Sequence, residues 1–151
     1  MVCGIMSLGE TSRLMAAHPH LGELIGITPT SDFNLAEIVE GGLPLASLTK
    51  LRARGLTATE LSDIVISPRT LKHRKARNEP LSQEETDRAV RVARIVGLAG
   101  EVFDNPDKAL QWLRSPDDRL GDRAPLNMLQ TESGGRLVES MLWQLDEGIY
   151  T

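Results

Sequence analysis

The chain has 151 residues, 40% apolar and 25% charged, with 17 Lys and Arg against 21 Asp and Glu for a formal charge of −4. That length suits one domain or two small ones, and the average charge argues against a general polyanion binder. Only 3% of residues are aromatic, so the core must be aliphatic; the single Cys3 excludes an internal disulfide framework and cannot alone hold structural zinc.

Along residues 1–30, Gly4, Gly9, Pro19, Gly22, Gly26 and Pro29 interrupt every periodic run. Short helical pieces around residues 12–17 and a partly ordered N-terminal arm through residue 30 are expected. His18 and His20 flank Pro19, but two histidines without a third ligand do not make a metal site, and Cys3 has no activating neighbour. Residues 31–40 read as a helix capped by Ser31 or Asp32 and stopped at Gly41-Gly42.

From Leu43 the signals sharpen. Residues 44–54 predict a helix with Leu45, Leu48 and Leu51 inward, closed by Gly55. Thr57 caps a second short helix whose stripe is Leu61, Ile64 and Val65, and a tight turn follows over residues 65–67. Ser67-Pro68 opens a third helix with an oxygen at the N-cap and Pro at N1. Its only large apolar residue before Asn78 is Leu71, while Arg69, Lys72, His73 and Arg77 spread over the other side. A recognition helix is built this way: one anchor packs down and basic residues face bases and phosphates. Arg69 and Lys72 offer donors to guanine, Thr70 and His73 to bases or backbone, and Lys75 and Arg77 to phosphates, with Ser67 completing the DNA-facing set. The competing reading is a solvated helix face.

Ser82-Gln83-Glu84-Glu85 is a capping box that launches a long helix with Val92, Ile95, Val96, Ala99, Val102 and Phe103 as its stripe. Asn105-Pro106 starts another, with Ala109, Trp112 and Leu113 inward, ended by Ser115-Pro116. A polar loop covers residues 117–122, and residues 125–129 suit one helical turn. Thr131 or Ser133 opens the last helix, running to Asp146 and ended by Gly148. Gly134-Gly135 near its start reads as a tight helix entry; alone it is too little for an anion site. Val138, Met141, Leu142 and Leu145 share one face, continued by Ile149. Trp143 lies about 160° from that stripe, among Glu139, Asp146 and Glu147. Either another element covers it or a partner does. Tyr150 past the terminal Gly is either a frayed end or a plug for a neighbour's cleft. No strand period stands out, so the fold class is all-α.

The charge is unevenly distributed. Residues 50–77 hold eight basic and two acidic side chains, a net of +6, which leaves nine basic against nineteen acidic elsewhere, a net of −10. A basic island in an acidic chain implies two tasks in one molecule. No phosphate-binding loop, dinucleotide fingerprint, nucleophile elbow or paired-histidine metal motif is present, so neither a catalytic constellation nor a cofactor is expected. No apolar run approaches the ~18 residues of a membrane span, and no leader-like segment opens the chain; a cytoplasmic protein is expected.

The ordered run Gly42-Leu43-Pro44, Ser67-Pro68-Arg69-Thr70-Leu71, Leu81-Ser82, Glu85, Ala99, Val102-Phe103, Ala109 and Trp112-Leu113 resembles the Xre/MbcA/ParS-type antitoxins. The resemblance continues through Pro116, Leu120, Pro125-Leu126, Thr131, Gly134-Gly135, Val138-Glu139, Leu142 and Gly148, covering about residues 33–151. Gly135 departs from an expected Ala, and His73-Arg74 from an arginine pair. The resemblance implies a helix-turn-helix DNA-binding domain over residues 31–80 and a small helical toxin-binding domain over residues 81–151. It further implies a cognate RES-domain toxin that depletes NAD, neutralised by covering its active site. It also implies operator DNA as a second partner and a homodimer within a larger heteromeric complex. Glu139, Trp143, Asp146, Glu147 and Tyr150 are then the toxin-facing residues. The alternative is a dimeric helix-turn-helix transcription regulator with no toxin partner.

Overall fold

The computed structural model describes residues 20–148. The helical pieces expected at residues 12–17, together with Cys3, His18, Ile149 and Tyr150, lie outside these. The described chain is all-α: α1 (Leu21–Ile25), α2 (Asp32–Gly41), α3 (Ala46–Ala53), α4 (Ala58–Ile64), α5 (Pro68–Arg77), α6 (Gln83–Phe103), α7 (Pro106–Arg114) and α8 (Glu132–Asp146). Two 3-10 turns, Asp118–Leu120 and Pro125–Gln130, join α7 to α8, and the described residues hold no strand beyond one isolated Asp117–Arg123 bridge.

Most helix starts follow side-chain caps. Ser31, Thr57, Ser67, Ser82, Asn105 and Thr131 each accept a hydrogen bond from a first-turn amide. Thr57 with Glu60 and Ser82 with Glu85 form complete capping boxes. The helix after Pro44 begins only at Ala46, with Leu45 as an uncapped start.

Within the arm expected to be partly ordered, residues 21–25 form a packed helix that the sequence reading did not single out: Leu21, Leu24 and Ile25 are fully buried, and α1 packs on α3 and α6. Ser47 Oγ donates to the Ile25 carbonyl at 2.7 Å, fastening the short helix from below. The spacing i, i+3, i+4 that buries these three was present in the sequence, but Gly22 and Gly26 masked it.

The long helix α6 organises the rest. From Ala89 to Ala99 every residue except Arg94 is buried, as befits a helix surrounded by others. α1, α2, α7, α8 and the second 3-10 turn all contact it, and one apolar cluster runs from Leu21 to Leu142. Each fully buried aliphatic side chain there, such as Ile95 or Leu142, contributes about 1.5–3 kcal/mol. Trp112, expected inward, is half-buried and tilts against Phe103 with ring centroids 5.8 Å apart, while Leu110 joins Ala109 and Leu113 inside.

Gly42 sets the passage into the helix-turn-helix segment. Its φ of 85° is left-handed, and a Cβ there would sit 2.3 Å from the Leu81 carbonyl oxygen. That close approach lets Leu43 accept from the Leu81 amide at 2.9 Å and donate to Thr86 Oγ1 at 2.9 Å. The two ends of the segment are thereby tied to each other, and its start to α6.

Candidate functional site

α4, a tight turn and α5 form the expected helix-turn-helix. The amides of Val65 and Ile66 both donate to the Leu61 carbonyl, at 2.8 and 3.1 Å, which folds the chain back while burying Ile66. Ser67 Oγ accepts from the Thr70 amide at 3.2 Å and donates to Thr70 Oγ1 at 2.8 Å. Both hydroxyls are therefore engaged in starting α5. Arg69, Lys72, His73, Lys75 and Arg77 are exposed, Thr70 is half-buried, and no residue of α5 is fully buried. The six residues from Arg69 onward that were singled out in the sequence thus share one short helix, with five of them open to solvent.

Arg74 behaves differently from its neighbours. Its guanidinium pairs with Glu79 at 3.1 Å and with Glu85 at 3.2 Å, the second of these carboxylates being buried. Glu85 is also the capping-box acceptor for the Ser82 amide at 2.7 Å. One carboxylate thus caps α6 and holds α5. One turn along, Arg88 donates to the Val65 carbonyl at 2.9 Å, fixing the tight turn from the same helix. On the other side Arg114 of α7 bonds Glu60 at 2.7 Å and the Gly55 carbonyl at 2.7 Å. The bond to Glu60 holds the Arg114 guanidinium pKa above its ordinary value. α5 is consequently held by the ion pairs of Arg74 as well as by its one apolar anchor, while Arg114 braces α4 through Glu60.

A second surface lies on α8. Its entry is tight because a Cβ on Gly134 would meet the Met128 carbonyl oxygen at 1.9 Å and one on Gly135 would meet Arg91 Cδ at 2.9 Å. Gly135, a departure in the sequence pattern, makes room for Arg91. This buried arginine bonds Asp87 at 2.7 Å, Glu132 at 3.2 Å and the Leu129 carbonyl at 3.1 Å. Burial works against ionisation of Glu132, but hydrogen bonds from Arg91 and Arg136 and the nearby Arg94 charge outweigh it and hold its carboxyl below the ordinary value.

Val138, Met141 and Leu142 turn inward as expected, while Leu145 is only half-buried. Trp143 remains 47% exposed, so no described element covers it. Asp146 and Glu147 are exposed beside it and Glu139 is half-buried; none of the three has an ion-pair partner among the described residues. Tyr150, the fifth residue of this set, lies outside the described residues. Leu137, 44% exposed on the far flank of the same helix, was not singled out in the sequence. Among the described residues no group of three or more His, Cys, Asp or Glu could hold a metal ion; His20 Nε2 instead lies 2.8 Å from Glu101 Oε1.

Comparison with known proteins matches both halves. Residues 35–94 match the Antitoxin Xre-like helix-turn-helix domain, and residues 98–148 the Antitoxin Xre/MbcA/ParS C-terminal toxin-binding domain. An Antitoxin Xre from Pseudomonas putida is 39% identical over 118 residues, covering 78% of this chain and 74% of that one. Another Antitoxin Xre, from Photorhabdus laumondii subsp. laumondii, is 28% identical over 149 residues, 95% of this chain and 99% of that one. A Prs ADP-ribosylating antitoxin from a Sphingobium strain is 33% identical over 90 residues, 54% and 57% of the two chains. Fold and matches together define a helix-turn-helix regulatory protein with a toxin-binding half, a binding protein and not an enzyme. The chain belongs to the Xre/MbcA/ParS family of antitoxins from toxin–antitoxin systems.

Proposed function

We propose that this antitoxin neutralises a cognate RES-domain, NAD-depleting toxin by covering its active site, and that it binds operator DNA to regulate its own operon in the cytoplasm. The carrying observation is the pair of unlike surfaces: an exposed basic face on α5 and, on α8, an exposed Trp143 beside unpaired carboxylates. Trp at the centre of a water-excluding patch is the residue type that dominates binding energy. In this reading Glu139, Trp143, Asp146, Glu147 and Tyr150 face the toxin. Ser67, Arg69, Thr70, Lys72, His73, Lys75 and Arg77 face DNA, the first and third mainly by holding the start of α5. The relative named for Prs ADP-ribosylation supports an NAD-consuming partner, because ADP-ribosyl transfer draws its ADP-ribose from NAD. A homodimer within a larger complex with the toxin would place two α5 helices on an operator with two half-sites.

The test is co-expression with the product of the adjacent gene, followed by affinity capture. A stable complex, weakened by Trp143→Ala about 30-fold or more, is expected. No complex would replace this reading with a toxin-free dimeric regulator. A chain ending at Leu145 that still protects cells would remove the terminal residues from the toxin contact.

A further inference from the structure

Leu71 is the sole large apolar anchor of α5, yet it is only half-buried. It borders an open cavity of about 190 Å³ between α3, α4 and α5. The floor is aliphatic, built by Leu45, Leu48 and Leu61 together with Leu71. Arg52 of α3 and Lys75 of α5 line the same cavity; both are exposed, and neither has an ion-pair partner among the described residues. No carboxylate lines it. In a chain with a net charge of −4, this is a largely apolar pocket whose only charged lining residues are cations.

We propose that the cavity binds a small aliphatic carboxylate, tail on the leucines and headgroup on Arg52 and Lys75, and that its occupancy opposes DNA binding by α5. Size restricts the tail: an engineered apolar cavity of about 150 Å³ holds benzene, so this one takes a chain of roughly six to eight carbons. Charge selects the headgroup, since the planar guanidinium fork matches a carboxylate and a neutral ligand leaves both cations unanswered. The coupling follows from shared residues. Lys75 engaged by a ligand is withdrawn from the phosphate backbone, and a tail against Leu71 changes how α5 seats on α3 and α4. The ligand site stands on the cavity alone; the coupling rests on the operator-binding reading above.

The two parts are tested separately. The full-length ¹⁵N-labelled chain is titrated with sodium hexanoate and with hexanamide as the uncharged control. Saturable amide shifts confined to α3, α4 and α5 are expected with hexanoate, with hexanamide at least tenfold weaker. Arg52→Gln should weaken hexanoate at least tenfold, and Thr49→Phe, which places a ring over the opening while keeping both cations, should abolish it. Absence of saturable shifts, or shifts unchanged in both variants, overturns the site. Shifts of the cavity-lining residues that track protein concentration without hexanoate overturn it too, because a second copy of the chain then covers this face. Saturating hexanoate should weaken operator affinity several-fold in the parent chain but not in Thr49→Phe. Unchanged affinity in a chain that binds operator overturns the coupling; a chain that binds no operator overturns the DNA reading instead.

Discussion

Replacing Arg91 by methionine keeps an apolar stem of similar length and removes a guanidinium with three partners. Two of them, Asp87 and Glu132, are 54% and 48% exposed and rehydrate when released, so their combined share is about 1 kcal/mol or less. The third is the Leu129 carbonyl, whose bond to Arg91 is buried. An acceptor stripped of its donor in such a place costs about 1–3 kcal/mol. The sum is about 1–4 kcal/mol, or a melting temperature lower by roughly 2–15 °C for a chain of this size. Urea unfolding measures it, with an unchanged denaturant slope showing that the same surface unfolds. Arg136→Met is the control: it also bonds Glu132, at 3.3 Å, but is 76% exposed and should cost about 0.5 kcal/mol or less. Equal costs for the two variants, or less than about 1 kcal/mol for Arg91→Met, would refute the assignment of Arg91 as the buried tie between α6 and α8. A second readout is the Glu132 carboxyl, whose titration should move up toward the ordinary range when Arg91 is lost.

Glycine substitutions should show opposite signs. Gly134→Ala drives a Cβ against a backbone carbonyl and should cost about 3 kcal/mol or more, whereas Gly100→Ala, in open space on α6, should stabilise by about 0.5–1 kcal/mol; thermal unfolding compares them. On DNA, Arg69→Ala should weaken operator binding by about 1–3 kcal/mol, while Lys75→Ala should mainly flatten its salt dependence, both read by fluorescence anisotropy at several salt concentrations. A hydrogen bond from Arg119 holds the Asp117 carboxyl at about 2, below its ordinary value. The stability it contributes is present above about pH 4 and is lost as the pH falls toward 2. With Arg119 35% exposed, that contribution is about 1 kcal/mol or less, measurable as an acid-limb difference between the parent chain and Asp117→Ala.

Local structure was legible wherever a cap coincided with an apolar repeat. Ser67-Pro68, Ser82 with Glu85, and Asn105-Pro106 open helices where their chemistry says they should, because those bonds span only two or three residues. The exposed face of α5 and the place of Trp143 opposite the apolar stripe were likewise readable, since helical phase alone separates them from Leu71 and Leu142, while the exposure of Trp143 came only with the structure. What the sequence hid is contact across distance. Arg88 reaches Val65 over 23 residues, Leu43 reaches Thr86 over 43, and Arg91 reaches Glu132 over 41. No periodicity announces such pairs, so Arg74 and Arg91 carry the same charge as the exposed Arg69 and Arg77 and differ only in their neighbours. α1 was missed for a related reason: five residues with Gly22 inside and Gly26 at the end gain their helix from burial, not from local preference.

The seam between the two matched domains falls at residues 94–98, inside α6, with no flexible hinge in between. A helix is an indexed shaft: each residue advances it 1.5 Å and rotates it 100°. Arg88 grips the tight turn of the helix-turn-helix and Arg91 grips the base of α8, less than one turn apart on that shaft. Inserting or deleting a single residue between them would swing one surface about 100° around the axis relative to the other. A change of length in the loops leaves this phase untouched, but the interval from Arg88 to Arg91 admits no insertion or deletion while both grips are kept.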